Sequence, residues 1–299
     1  MYPREIYDIL YQEKLLYRIL KEYTKMLIGC CVNMLPQTRL AGAEYIPEIA
    51  AAGYDYVELP LGSLASLTES EFHEASAILA ESGIPCLSCN NFMPGEFIIV
   101  GPGTIRTPDT VLHEYMEKAF ERIGKNGLQI PTAVFGSPWS RKCPDGWDMD
   151  AALAQIAVFL DTAAKYAGKQ GITIALEGNN RSETNTLNRF RDVIHMVQRV
   201  SHLSLKALCD YYHVRYEQDD PAAVLKDGGD LVAHIHIAKL ADRAWFTNLS
   251  GEEPYIHHFA KALKEIHYTG GISIEAPAGK ENWHDMVFRT LPVLKAVFA

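Results

Sequence analysis

Four residues able to bind a divalent cation, Glu177, Asp210, His236 and Glu275, follow one another at intervals of 33, 26 and 39 residues. Each closes a short run rich in apolar and β-branched residues: 172–177, 203–210, 231–236 and 271–275. A carboxylate or imidazole ending a buried strand is costly unless something pairs with it. Strands separated by one helix-sized crossover bring their ends to one face of a parallel barrel. Three carboxylates and one imidazole on that face would share a single divalent cation. Taken singly, an acidic residue after a strand reads as a helix cap or a surface charge; four in succession ask for a common ligand.

The strands that must position these groups are legible as apolar runs bounded by turn residues. They are expected at 27–32, 54–59, 84–90, 132–136, 172–177, 203–210, 231–237 and 271–275, with helical patterns between them at 41–52, 69–82, 109–126, 149–170, 186–200, 221–226, 255–266 and 283–298. Asp109 and Asp148 or Asp150 are candidate helix caps, and Gly83, Gly127 and Gly171 candidate helix stops. Strand–helix alternation with right-handed crossovers gives a parallel sheet, and eight such units close a (β/α)8 TIM barrel. A doubly wound open sheet is the structural rival. No Gly-x-Gly-x-x-Gly follows the first strand, which weakens its nucleotide-binding version.

With 299 residues, 48% of them hydrophobic, and no linker or low-complexity tract, the chain reads as one α/β barrel over 27–299 behind an N-terminal helical extension over 1–26. In that extension Ile6, Ile9, Leu10, Leu16, Ile19 and Leu20 recur at near-helical spacing, while charges from Arg4 to Glu22 rule out a signal or membrane segment. The helix would close the bottom of the barrel or contact another subunit, and a homo-oligomer is expected. A net charge of −9 excludes a general basic surface for nucleic acid. Six cysteines without a paired framework fit a reducing compartment, so the cytoplasm is expected. Cys86 and Cys89 lie three apart within one strand and read as packing residues rather than chelators.

His234 and His236 face the same side of their strand, so His236, nearer its end, is the ligand and His234 lies one layer deeper. Asp210 ends its strand and His213 begins the following loop, where it would meet substrate. An oxygen-rich set with one imidazole suits Mn²⁺ first, then Mg²⁺ or Co²⁺, with Zn²⁺ the remaining alternative. The loop after the third strand, from Asn90 to Gly103, has the composition of a lid or substrate loop. The loop after the fourth carries Trp139, able to stack on a sugar ring, and Arg141, able to read a hydroxyl or an anion.

The stretch from Leu176 to Asn185, with Glu177, Asn180, Arg181 and Glu183, resembles the strand-five signature of the sugar phosphate isomerase/epimerase superfamily, the xylose isomerase-like TIM barrels. Asp210 with His213, His234 with His236, and Glu275 are similar to that superfamily's Asp-x-x-His, His-x-His and terminal Glu. Tyr56 to Glu58, Asn91 to Gly95 and Phe135 to Ser137 match as well, nearest to the ketose 3-epimerases of the tagatose and psicose type. The resemblance implies metal ligation by Glu177, Asp210, His236 and Glu275. It also implies substrate contacts from Glu183, His213 and Asn91, and from Arg243, which sits one residue off the epimerase spacing. No Gly-rich phosphate loop is present, so a phosphorylated substrate is not implied.

A cation held across a carbonyl and the adjacent hydroxyl acidifies the intervening C–H. Glu177 and Glu275 on opposite sides of it would remove and return a proton through an enediolate, giving a metal-dependent sugar epimerase or isomerase. A lyase or dehydratase acting on a keto-polyol or an oxidised glycoside is the alternative, and a non-catalytic sugar-binding barrel the second. A two-metal hydride-shift isomerase needs more ligands than are present, and a three-zinc DNA-repair site needs early-strand histidines where this chain offers Glu58, Asn90 and Asn91.

Overall fold

The computed structural model describes residues 26–278 and 282–298. The helix expected over 1–26 lies outside the described residues apart from Met26. Eight strands, β1 (Leu27–Cys31), β2 (Tyr56–Pro60), β3 (Cys86–Asn90), β4 (Thr132–Phe135), β5 (Thr173–Glu177), β6 (Leu205–Asp210), β7 (Val232–Ile237) and β8 (Gly271–Ile274), pair in parallel in sequence order, and β1 closes on β8. The expected TIM barrel is therefore the fold. The helices are α1 (Ile46–Ala52), α2 (Leu61–Ser66), α3 (Glu69–Ser82), α4 (Asp109–Ile123), α5 (Met149–Lys169), α6 (Phe190–Val200), α7 (Tyr211–Tyr216), α8 (Pro221–Gly228), α9 (Glu253–Glu265) and α10 (Trp283–Phe298). No helix among the described residues is long and apolar enough to cross a membrane.

Local chemistry accounts for the boundaries. Helix α3 opens on a reciprocal Thr68–Glu71 capping box, α5 opens on Asp148, whose carboxylate accepts from Ala151 N at 2.7 Å, and α3 stops at left-handed Gly83. Asp109 does not cap α4; Pro108 precedes the helix and makes no side-chain bond. Strand β6 starts at Leu205 rather than residue 203, because Leu203 is 96% exposed and outside the pleat. Helix α6 starts at Phe190, four residues later than its pattern suggested. The preceding residues instead form a loop in which the Asn188 amide donates to Asn179 O and Thr184 O. Helices α2 and α7 were not expected at all, since each is one and a half turns long and follows its strand without a break. All six cysteines are free and buried, as packing residues should be.

The barrel interior is divided. On one side Val134, Ala175 and Leu208 form a small apolar plug. On the other, β2, β7 and β8 send Tyr56, Glu58, His234 and Ser273 inward, all buried. Gly29 is required there, because a Cβ at that position would overlap the Tyr56 ring. This polar half stands directly beneath the C-terminal face, where the ligand-bearing strand ends converge.

Candidate metal centre and active site

Neighbouring registers set the four ligand-capable side chains side by side. Asp210 pairs with His236 across β6 and β7, Glu177 ends β5, and Glu275 follows the Ile237–Ile274 pair of β7 and β8. One donor atom from each lies within 4.8 Å of the others. Two donors on opposite sides of one cation are separated by at most about twice a metal–oxygen distance, roughly 4–5 Å, so the set has the dimensions of a single ion. His236 Nδ1 is 3.4 Å from both Glu177 Oε1 and Glu275 Oε2. Both His236 Nδ1 and Glu177 Oε1 are buried and make no hydrogen bond. Buried polar atoms are normally satisfied; two orphans aimed at one point among three carboxylates fit a divalent cation.

The other imidazole nitrogen fixes the ring. His236 Nε2 donates to Glu58 Oε1 at 3.0 Å, while His234 Nε2 at 2.8 Å and Ser273 Oγ at 2.6 Å both donate to Oε2. A carboxylate only accepts, so each of these partners supplies the proton. Ser273 has spent its hydrogen on Glu58, and Tyr56 Oη therefore donates to Ser273 Oγ at 2.7 Å. Glu58 thus stands behind His236 as metal sites require of a partner carboxylate, orienting the ring and raising its basicity.

Electrostatics reflect the crowding. Burial raises the Glu177 carboxyl above its ordinary range, with the Glu275 charge adding to it, and burial together with the Glu177 charge raises Asp210. Burial also works to raise Glu275, but His236 and Arg243 outweigh it and hold the group down at about 2. Burial opposes charge on His236, yet Glu58 and Glu275 keep the imidazole well above its usual value. A cation binding at Nδ1 would have to displace any proton held there.

A model of xylose isomerase-like TIM barrels matches residues 46–296. The chain belongs to the xylose isomerase-like TIM barrel family. D-psicose 3-epimerase of Agrobacterium fabrum is 23% identical over 238 residues, spanning 77% of this chain and 78% of its own length. The Escherichia coli 3-dehydro-D-guloside 4-epimerase is 25% identical over 245 residues, spanning 80% and 87%. Both relatives are sugar epimerases, enzymes of the isomerase class. A crystal structure of D-psicose 3-epimerase in the presence of D-fructose matches with a TM-score of 0.77 at 19% identity, covering 91% of this chain and 99% of that one. That of the E. coli 3-keto-D-glucoside 4-epimerase gives 0.70 at 20%, covering 91% and 99%. At such identities the likeness to these structures is one of fold.

In this xylose isomerase-like barrel the remaining candidates fall in different places. Arg243 reaches the cluster because Asp242 and Arg243 are consecutive left-handed residues, with φ of 58° and 49°, which turn the chain back over the site. Its guanidinium lies 2.7 Å from Glu275, 3.6 Å from Glu183 and 3.8 Å from Asp210. Burial disfavours that cation, and Glu275, Asp210, Glu177 and Glu183 more than compensate. Glu183 is 4.0 Å from His213 Nδ1, so these candidates line one side of the cluster.

His213 is not in a loop. The Asp210 carboxylate accepts from Tyr212 N at 2.6 Å and His213 N at 3.3 Å, starting α7 and setting His213 in its first turn. The backbone N–H and the side-chain Nδ2 of Asn180 lie 3.2 and 2.9 Å from His213 Nδ1, while Asn179 Nδ2, whose oxygen accepts from Arg141, lies 3.1 Å from Nε2, with Asp210 Oδ2 3.6 Å away. Burial lowers its pKa to about 4, so the ring is neutral.

Arg141 corrects an expectation. It is fully buried, and its donors are spent on Gly136 O (2.7 Å), Thr186 O, Thr186 Oγ1 (3.1 Å), Glu177 O (3.1 Å) and Asn179 Oδ1 (2.6 Å). It ties the β4 loop to the end of β5 and has no free N–H for a sugar. Trp139, in contrast, is 63% exposed. Asn91, left-handed at φ 42°, accepts from Asn33 Nδ2 at 3.4 Å. Asn33 and Asn90 each donate to Glu275 Oε1, at 3.0 and 3.2 Å, and both Oδ1 atoms are buried and unpartnered. Sequence reasoning missed the parts played by Asn33, Asn90 and Glu58. The signal for Glu58 was present: a lone carboxylate inside Tyr-Val-Glu-Leu-Pro must find a buried partner, and β7 offers a pair of imidazoles.

Proposed function

We propose that this protein is a metal-dependent keto-sugar epimerase that moves a proton at the carbon beside a carbonyl. The observation that carries the reading is the placement of Glu177 Oε1 and Glu275 Oε2 at 3.4 Å from the same unpartnered His236 nitrogen. Glu177, Asp210, His236 and Glu275 would hold the ion, with Mn²⁺ the first choice for this donor set. When bound, the ion polarises the substrate carbonyl and makes the neighbouring C–H acidic.

The residues do the rest. One of the two glutamates takes the proton from carbon; the C–H electron pair becomes the new C=C bond, and the carbonyl π pair moves to oxygen. The other glutamate, carrying a proton from solvent, delivers it to the opposite face as the electrons return, so the stereocentre is inverted and the carbonyl restored. Arg243, Glu183 and His213 would grip substrate hydroxyls. Asn33 and Asn90 hold Glu275 in place through their N–H groups and turn their carbonyl oxygens to the substrate. The names of the relatives run from free ketoses to keto-glycosides, and they support an epimerase without choosing among these substrates.

The test is incubation of the Mn²⁺-loaded protein in D₂O with a panel of ketoses and keto-glycosides, followed by NMR after the metal is removed. Deuterium should enter beside the carbonyl together with an epimeric product, and both should vanish in Glu275→Gln and Glu177→Gln. Exchange accompanied by loss of water or of an aglycone would make the enzyme a lyase. No exchange with any keto-sugar would refute the proposal.

A further inference from the structure

The carboxylate cluster occupies only one side of the barrel mouth. Over the loops that follow β1 to β4 lies a cavity of about 640 Å³, within the range of about 300–1,000 Å³ typical of ligand sites. Asn33 and Asn91 form the wall it shares with the cluster, since Asn33 lines the cavity while donating to Glu275. A free monosaccharide seated on the cluster leaves this space to water.

We propose that the substrate is a keto-sugar bearing a glycosidic substituent, with the keto ring on the cluster and a second, neutral sugar ring in this cavity. The inference rests on the proposed function for the first ring and on the cavity for the second. Gln37, Asn91 and Ser137 supply neutral hydrogen-bonding groups, the complement of a polyhydroxylated ring. Trp139 stands at the rim, 63% exposed, with Lys142 Nζ 5.7 Å from the centre of its ring, and offers a flat apolar surface for stacking. Two of the three lining charges have partners, Arg39 with Glu74 at 2.5 Å and Glu71 in the capping box of α3, and the third, Glu96, is an exposed carboxylate able to accept from sugar hydroxyls. Among the described lining residues Arg39 is the one cation against the carboxylates of Glu71 and Glu96, a balance that does not favour a phosphate.

Two steric probes fill the cavity without touching the cluster. Gly95 has open space where a Cβ would stand, and Ser63 is an exposed position on its wall; neither is assigned a contact. The Mg²⁺-loaded protein is titrated calorimetrically with glucose, methyl glucoside and a panel of unoxidised gluco-disaccharides. At least one disaccharide should bind tenfold or more tightly than the monosaccharides, and Gly95→Phe and Ser63→Trp should each remove that gain. A disaccharide no better than glucose, or a gain that survives both variants, overturns the inference whatever the catalytic result. Deuterium exchange separates the two readings. Free ketoses exchanging with a kcat/KM equal to that of glycosylated ones would sink the glycoside and leave the epimerase. A disaccharide gain with no exchange in any keto-sugar would leave the subsite and sink the epimerase.

Discussion

Replacing Glu58 by glutamine should weaken metal binding although Glu58 is not one of the four proposed ligands. Its two oxygens accept from three donors, His236 on Oε1 and His234 with Ser273 on Oε2. Glutamine retains one acceptor oxygen and offers an N–H₂ in place of the other. If the amide oxygen takes the Oε2 position, where two donors converge, the N–H₂ faces His236 Nε2. The ring must then accept there and carry its hydrogen on Nδ1, pointing at the ion. In the opposite rotamer His236 keeps its tautomer but loses the full charge that raised its basicity. Loss of such a supporting carboxylate typically costs 10–100-fold in affinity, equivalent to about 1.4–2.8 kcal/mol. One buried donor left facing a donor costs the metal-free fold roughly a further 1–3 kcal/mol. Calorimetric titration of Mn²⁺ into wild type and Glu58→Gln, with thermal unfolding of both in chelator, measures the two separately. Wild-type affinity in a variant that unfolds normally would show that Glu58 does not orient His236.

Other outcomes follow from the same geometry. Gly136→Ala should lower deuterium exchange at least tenfold while leaving the chain folded by circular dichroism, because its Cβ would collide with Glu177 Oε2. Arg141→Lys should destabilise the protein by about 2–4 kcal/mol in denaturant unfolding, since an ammonium cannot span acceptors arranged for a planar fork; unchanged stability with a raised KM would return Arg141 to the substrate. The metal-induced rise in Tm should be larger at pH 7.5 than at pH 5. Glu177, Asp210 and His236 all have raised values in the metal-free fold, so that fold binds their protons more tightly than the unfolded chain and loses stability as pH rises through those values. Glu275, held at about 2, contributes stability that is lost only as pH falls below the ordinary carboxylate range, outside this interval. An equal shift at both pH values would contradict the crowding of charge.

The rhythm of four ligand-capable residues was readable because a parallel barrel converts sequence order into spatial order, and each strand ends on the same face. What resisted reading was anything decided across the barrel. Glu58 and His236 are separated by 178 residues, and no local pattern joins β2 to β7. Arg141 looked available because a loop arginine after an exposed tryptophan resembles a binding group; only the chain path shows that Gly136, Thr186 and Glu177 surround it. Helix α7 was hidden for a different reason. Its cap is Asp210 itself, so the residue that reads as a ligand also starts the helix.

The polar half of the barrel interior has a consequence for engineering. A designer seeking thermostability would see Tyr56, Glu58, His234 and Ser273 as candidates for apolar repacking, and exchanging a buried ionic group for well-packed hydrophobes is often neutral or favourable by about 1–4 kcal/mol. Here such a change would give a sturdier barrel in which His236 no longer has a carboxylate to orient it. On the proposed function, robustness and turnover would draw on the same four side chains, so improvement of this scaffold would come from its outer helices and its loops.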